Sequence, residues 1–335
     1  MTRVLVSGGS GFIGQHLVSE LVRRGRQVRV LDIRLPTRPL PAVEYVKGSV
    51  LDTDLVHQSM SGIDEVYHLA GLPGMWRLDR REFHAVNFGG TESVLTAARR
   101  RGVARFLHCS TESILFRASQ PDGHSAEDAS LSADEMPGPY TRSKMLADSL
   151  ALQAAADGFP VIVGCPTMPI GPHDHNQTPP TAMLQHFLGG GALQLYLDFI
   201  VNLVDVRDVA TGLILAMEKG RLGHRYLLGG DSVPLGQVLA LMATISGRRK
   251  LFIPIPGRLA ELAAAVIEFR ANQMTHRMPA ATVEGVRIAR RAAALSIGKA
   301  QRELGYAPRS IEPVLHETIA RMMGVPVSKV LKHAV

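Results

Sequence analysis

The stretch Val4-Leu-Val-Ser-Gly-Gly-Ser-Gly-Phe-Ile-Gly14 decides the reading of this chain, because it fits two glycine patterns at once. From Gly9 it runs GxGxxG through Gly11 and Gly14; from Gly8 it runs GxxGxxG through the same two residues. Either way an apolar strand enters closely spaced glycines that open a helix. Such a turn aims backbone N–H groups and the positive helix end at a pyrophosphate. Glycine is needed because a Cβ would block both the tight turn and the approach of the phosphate. Asp32 ends the next strand, 18 residues after Gly14. A carboxylate there accepts both hydroxyls of an adenosine ribose and repels a 2′-phosphate, which favours NAD. Arg34, two residues on, could turn to such a phosphate and admit NADP.

Working outward, short apolar runs alternate with helical patterns: strands over 3–8, 27–32, 43–48, 64–71, 104–110 and 160–166, and helices over 12–24, 79–101 and 140–156. The strand runs are rich in Val, Ile and Leu and lack polar alternation, as expected of strands buried on both faces. The rhythm predicts an α/β fold, a Rossmann-type doubly wound parallel sheet with right-handed crossovers. After Pro166 the composition shifts to a Pro-rich loop (166–180). Residues 202–222 read as one more strand and helix returning to the sheet. The dinucleotide domain is therefore expected over 1–166 with 202–222. A smaller, mainly helical substrate lobe is expected over 167–201 and 223–323, and a poorly ordered tail over 324–335.

With 335 residues, 46% hydrophobic and 20% charged, the chain reads as an ordinary globular protein. Its net charge of +7 comes from scattered arginines, with seven lysines among 37 basic residues and no run of five. That is a solvated surface rather than a nucleic-acid footprint, though mildly attractive to anionic cofactors or an acidic membrane. Cys109 and Cys165 end apolar runs and read as buried, reduced thiols. No leader segment and no bilayer-length apolar run is visible, so a cytoplasmic, soluble protein is expected.

The chemistry is carried by Tyr140-Thr-Arg-Ser-Lys144, a YxxxK at the start of a predicted helix. A spacing of four puts both side chains on one helix face. A phenol ordinarily ionises near pH 10. An ammonium alongside, with a positive nicotinamide ring, would stabilise the phenolate and let Tyr140 trade a proton with a hydroxyl or carbonyl.

These features together resemble the extended short-chain dehydrogenase/reductases of the NAD-dependent epimerase/dehydratase group. The resemblance covers nearly the whole chain. It settles the opening ambiguity: Ser7-Gly-Gly-Ser-Gly-Phe-Ile-Gly14 is similar to that group's TGxxGFIG, so Gly8, Gly11 and Gly14 work, with Phe12 and Ile13 between them. His68-Leu-Ala-Gly71 resembles the group's HxAA element, which makes Leu69, Ala70 and Gly71 a cofactor wall. Asn87-Phe-Gly-Gly-Thr91 resembles NxxGT, with Asn87 bracing the sheet beside the site. Cys109-Ser-Thr111 stands where the group carries its catalytic hydroxyl, which implies that Thr111 bonds the substrate oxygen and Cys109 borders the cofactor. Pro166-Thr-Met-Pro-Ile-Gly-Pro172 resembles the turn after strand 6, placing Pro166 and Met168 at the nicotinamide. Pairing through helices 79–101 and 140–156 into a homodimer is implied as well.

Three departures stand out. Gly48-Ser49-Val50 replaces the usual Gly-Asp-hydrophobic, so Ser49 and Val50 are the candidates for the adenine contact. Glu112 fits half of the dehydratases' Asp-Glu pair and Ser113 breaks it, which argues against a lyase of that mechanism. Cys165 precedes Pro166 where many relatives carry Arg or Asn. Within the group the resemblance lies nearest the dihydroflavonol reductase-like, hopanoid-associated sugar epimerase and 3β-hydroxysteroid dehydrogenase branch. It is carried by the 166–172 and 202–210 segments, Arg225-Tyr-Leu-Leu-Gly-Gly230 and Glu303-Leu-Gly-Tyr306.

Weaker features complete the expectation. Met75, Trp76, His173, Glu112 and Ser113 are candidates to line a substrate site. His173-Asp-His175 lacks a third ligand and is read as loop, with no metal. The apolar helix at 258–277 is expected to pack on the core or on a subunit, with membrane contact as the other reading. The expected activity is an NAD(P)-dependent interconversion of a secondary alcohol and a ketone on an apolar small molecule by Tyr140, Lys144 and Thr111. An epimerase using transient oxidation and a non-catalytic cofactor-binding subunit are the rivals.

Overall fold

A computed structural model describes residues 2–116, 124–125, 127 and 131–326. Most of the expected tail lies outside the described residues. The strands of three or more residues begin with β1 (Arg3–Ser7), β2 (Gln27–Asp32), β3 (Val43–Lys47), β4 (Glu65–His68), β5 (Arg105–Cys109) and β6 (Val161–Pro166). They are followed by β7 (Met168–Ile170), β8 (Leu193–Tyr196), β9 (Ile200–Asp205), β10 (Arg225–Leu228), β11 (Asp231–Pro234) and β12 (Leu251–Pro254). Seven of them form one parallel sheet in the order β10-β6-β5-β4-β1-β2-β3. The chain reverses direction beside β1, the switch point at which open α/β sheets bind ligands.

Alternation along each strand explains why both faces are covered. Leu5, Leu31, Val66, Phe106 and Val161 face one way and Val4, Val6, Val30, Tyr67 and Leu107 the other, all at 1% exposure or less. The second face packs on α1 (Phe12–Arg23) through Leu17, Val18 and Leu21. The first face packs on α2 (Thr53–Ser59), α3 (Gly90–Arg100) and α4 (Pro139–Ala156) through Val56, Val94, Leu95 and Met145. A third core, around Ile170, Leu184, Leu203, Leu239 and Leu315, belongs to the remaining lobe. That lobe includes α5 (Pro179–Gly189) and a small sheet in which β9 pairs with β7 and β11.

The structure departs from the sequence reading in three places. The helix expected over 79–101 is interrupted: a turn at Arg81–Phe83 and a π-helical segment, His84–Gly89, precede α3. The strand before α6 (Val206–Lys219) is β9, and it joins the small sheet while α6 alone returns to the main one. The main sheet is instead closed by β10, inside the stretch assigned from sequence to the substrate lobe. Finally, α7 (Leu235–Ser246) contributes apolar residues to the third core, whereas α8 (Gly257–Arg270) buries only Ala260, Ala264 and Glu268. The core-packing expectation for α8 fails because its inward stripe, spaced by four, carries small residues and leaves the large ones outside. Two short helices, α9 (Val283–Arg291) and α10 (Gly298–Leu304), and α11 (Ile311–Met323) complete the chain.

Candidate active site

The glycine loop is shaped by contacts that no side chain could share. Gly8 has φ +75°, and a Cβ there would lie 2.6 Å from the Ala70 backbone nitrogen. At Gly14 a Cβ would strike the Gly8 carbonyl. No side chain caps the start of α1, so its first N–H groups stay open toward the loop. Asp32 sits at the loop's edge, where its carboxylate accepts from the backbone N–H of Ser10 and of Arg34, each at 3.0 Å. Arg34 turns its guanidinium away to Asn176 Oδ1 at 3.3 Å. The cradle, the open helix end and the carboxylate fit a dinucleotide. Gly8, Gly11, Phe12, Ile13 and Gly14 would hold its pyrophosphate and Asp32 its ribose.

The neighbouring wall is held by buried polar bonds. His68 shares a proton with Ser7 Oγ through Nδ1 at 2.6 Å and with Thr91 Oγ1 through Nε2 at 2.9 Å. Thr91 in turn donates to the Asn87 carbonyl at 2.7 Å, so its oxygen is free to accept from His68 Nε2–H. Burial, with Lys144 nearby, pushes His68 down to about 3, and the ring stays neutral. Leu69 N–H bonds the Ser7 carbonyl at 2.9 Å, and Gly71 leaves room for Asn87 Oδ1. Asn87 accepts from Leu72 N–H at 2.7 Å and donates to Ser143 Oγ at 2.9 Å, and Ser143 donates to the Tyr140 carbonyl at 2.7 Å. The wall and α4 are thus one hydrogen-bonded unit. Ser49 spends its hydroxyl on Leu51 N–H at 3.1 Å, and Val50 is buried against Gly90.

Thr111, Tyr140 and Lys144 converge where β5 ends beside α4. The Thr111 side chain stands near the Tyr140 phenol; its hydroxyl lies 2.7 Å from Ser113 Oγ and donates to Glu112 Oε2 at 3.1 Å. Lys144 donates to the Cys109 carbonyl at 2.8 Å. In the chain itself burial raises the pKa of the Tyr140 phenol, and the charges of Glu112 and then Glu284 add to it. The ammonium points at the Cys109 carbonyl, and its field falls on His68, His108 and Cys109. Burial likewise lifts Glu112 to about 7, and the bond from Thr111 opposes it.

A residue that sequence reasoning missed holds this helix in place. Glu284, on α9, accepts from the N–H groups of Tyr140 at 3.2 Å and Thr141 at 2.7 Å, and from Thr141 Oγ1 at 2.7 Å. It therefore caps the start of α4, where Pro139 stands first and no local side chain does so. Gly138 is required because a Cβ there would run into the Glu284 carboxyl group. A cavity of about 230 Å³ is lined by Met75, Trp76, Phe83, Gly138, Val283 and Glu284, among others, and Phe83 links it to the Tyr140 ring. Phe83 meets the Tyr140 ring edge-on at 5.9 Å. Arg80 and Arg287 at this cavity each pair with a glutamate, Glu268 and Glu261.

Of the substrate candidates, Met75 and Trp76 reach this cavity, and Glu112 and Ser113 flank Thr111. His173 does not join them: its carbonyl accepts from Gln15 at 2.7 Å and its ring faces His16 and His175. It ties the loop after β7 to α1. Pro166 ends β6, and Met168 begins β7 opposite Leu203. Cys165 is fully buried.

Residues 4–229 match the NAD dependent epimerase/dehydratase family. The chain is 33% identical to a 4-hydroxy-2-methyl-3-oxo-4-farnesyl-3,4-dihydroquinoline-1-oxide ketoreductase of Stigmatella aurantiaca, over 92% of each chain. It is 28% identical to sterol demethylase protein B of Methylococcus capsulatus, over 94% of this chain and 97% of that one. Its fold resembles the dTDP-glucose 4,6-dehydratase of Bacillus anthracis in complex with NAD, with TM-score 0.74, 19% identity and 97% of both chains covered. With a dinucleotide cradle at β1 and a family match spanning the whole central sheet, the chain belongs to the NAD-dependent epimerase/dehydratase family of oxidoreductases.

Proposed function

We propose that this protein is an NAD-dependent reductase or dehydrogenase that interconverts a ketone and a secondary alcohol on an apolar small molecule. The observation that carries the reading is the juxtaposition of two hydroxyl residues, Thr111 and Tyr140, where β5 ends beside α4, with Phe83 linking the phenol ring to a cavity walled also by Met75, Trp76 and Val283. A substrate oxygen between them receives two hydrogen bonds. Tyr140 then gives or takes the proton, and Thr111 fixes the oxygen's position. Lys144, one helical turn from the phenol, is placed to bind the nicotinamide ribose. Bound NAD supplies the hydride acceptor, or NADH the donor. The chain's own groups keep the phenol protonated, so a bound nicotinamide and Lys144 would have to lower its pKa for the proton to move in either direction.

Two further observations support an apolar substrate. The cavity's arginines Arg77, Arg80 and Arg287 each already stand near a carboxylate, Arg77 at 3.9 Å from Glu82, and are poor anchors for a diphosphate. The Stigmatella aurantiaca relative is named for a farnesylated quinoline oxide. The test is nicotinamide absorbance with purified protein and a panel of aryl and polycyclic ketones. A steady fall in NADH with alcohol formed in equal amount is expected. Interconversion of two stereoisomers with no net change in cofactor would instead make it an epimerase.

A further inference from the structure

The large apolar side chains that reach solvent are gathered on one lobe. Among the described residues, sixteen large hydrophobics are exposed, and twelve of them lie from Leu193 to Met278, all but Leu222 on β8, β12, α8 or the segment after it. Strands β8 and β12 pair in parallel with Leu193 opposite Leu251 and Leu195 opposite Ile253, and all four side chains are exposed. Cross-strand partners share a face, so this two-stranded ribbon presents four aliphatic groups on one side. Only Ile255 and Pro256 separate the ribbon from α8. On α8, Leu259, Leu262, Val266 and Phe269 follow a spacing of three and four, with Leu262 at 65% and Phe269 at 63% exposure. Met274 and Met278 continue the surface beyond the helix. Exposed apolar surface on this scale marks an interaction site.

The charges around the patch identify the partner. The two acids of α8 are turned inward and neutralised, Glu261 by Arg287 and Arg290 and Glu268 by Arg80. Arg258, Arg270 and Arg277 are exposed and form no ion pair with any described residue. A face with apolar side chains and uncompensated arginines, on a helix whose two carboxylates are both paired, complements an anionic lipid surface. A second copy of the chain fits less well, because a two-fold pairing would set these arginines against one another.

We propose that β8, β12 and α8 form a docking face that lies on an anionic membrane, with Leu262 and Phe269 in the acyl boundary and Arg258, Arg270 and Arg277 among the headgroups. The cavity that Phe83 shares with the Tyr140 ring lies next to this face. Glu268 of α8 lines it, Trp76 donates to Asn272 at 2.8 Å, and the Met278 methyl lies 3.6 Å from where a Cβ on Gly74 would stand. An apolar substrate dissolved in the bilayer therefore has a short path to the phenol. That delivery role rests on the proposed function; the docking itself does not.

Flotation of the full chain with vesicles tests the docking. Vesicles of phosphatidylcholine with phosphatidylglycerol should carry the protein, phosphatidylcholine alone should carry less, and added salt should reduce binding to the mixed vesicles. L262E/F269E should lose tenfold or more of the binding to both, with melting temperature unchanged. Replacing Arg258, Arg270 and Arg277 by Gln should cost roughly fivefold each on mixed vesicles only. Absence of flotation above a lipid-free control would overturn the proposal. So would an oligomer that L262E/F269E converts to monomers while vesicle binding stays unchanged, which would make the face a contact between copies. Turnover of a short, water-soluble ketone is read in parallel. Its loss from the wild-type protein counts against the proposed chemistry, whereas lost flotation with turnover intact counts against docking alone.

Discussion

Glu112 is the residue whose behaviour is least expected of its type. Burial lifts its carboxyl from 4.5 to about 7, so the native state holds a proton that the unfolded chain releases earlier. Stability from this group is therefore present below about pH 4.5 and is lost as pH rises through about 7, by roughly 3 kcal/mol at most. Melting curves across that window should show wild type falling relative to E112Q. Parallel curves would mean that Glu112 is not protonated in the fold. At the glycine loop, Gly8→Ala places a Cβ against Ala70 at a positive φ and should weaken NADH binding tenfold or more by titration calorimetry. Tyr140, Lys144, Thr111 and the glycines were legible in the sequence because each belongs to a short local pattern. The raised phenol pKa was not, because it comes chiefly from burial, then from Glu112 and from Glu284, which lies 144 residues along the chain.

Among the elements, α4 matters most, and two distant supports fix it. Glu284 caps its start from α9, and Asn87 ties its first turn to the cofactor wall. Asn87 lies in the π-helical segment that the sequence reading took for regular helix. Its hydrophobic spacing is compatible with either, so the inserted turn left no mark in the pattern; π-turns of this kind gather at functional sites. Asn87→Ala should leave the Leu72 N–H and Ser143 hydroxyl without their partner and cost about 1–3 kcal/mol. It should also lower kcat more than it changes NADH affinity. Denaturant melts and steady-state kinetics would show this; a variant of wild-type stability would refute the brace. Glu284→Ala should lower the melting temperature by removing a cap worth about 1 kcal/mol, with turnover falling as Tyr140 loses its support. Its cap could not be read from sequence because Gly138 and Glu284 meet only in the fold.

Across the whole molecule, the parallel sheet was legible as runs of Val, Ile and Leu, and its closing strand was not. Arg225–Leu228 is four residues long and is placed by pairing with β6 and by a buried ion pair, Arg225 to Asp148, at 2.6 Å. Asp148 is fully buried on α4, so this pair joins the helix bearing the phenol to the edge of the sheet. Asp148→Ala takes the buried carboxylate away from the guanidinium, which keeps its bond to the Glu127 carbonyl, and should destabilise the fold by about 3 kcal/mol in denaturant melts. Sheet, brace and cap together bring one phenol to the Thr111 hydroxyl beside the cofactor wall, and turnover is held to depend on its proton. The direct measurement is kcat of Tyr140→Phe with an accepted ketone, alongside NADH titration. Turnover should fall by about a hundredfold or more with NADH affinity and melting temperature unchanged. Turnover within a fewfold of wild type would contradict the assignment of Tyr140 as the proton donor.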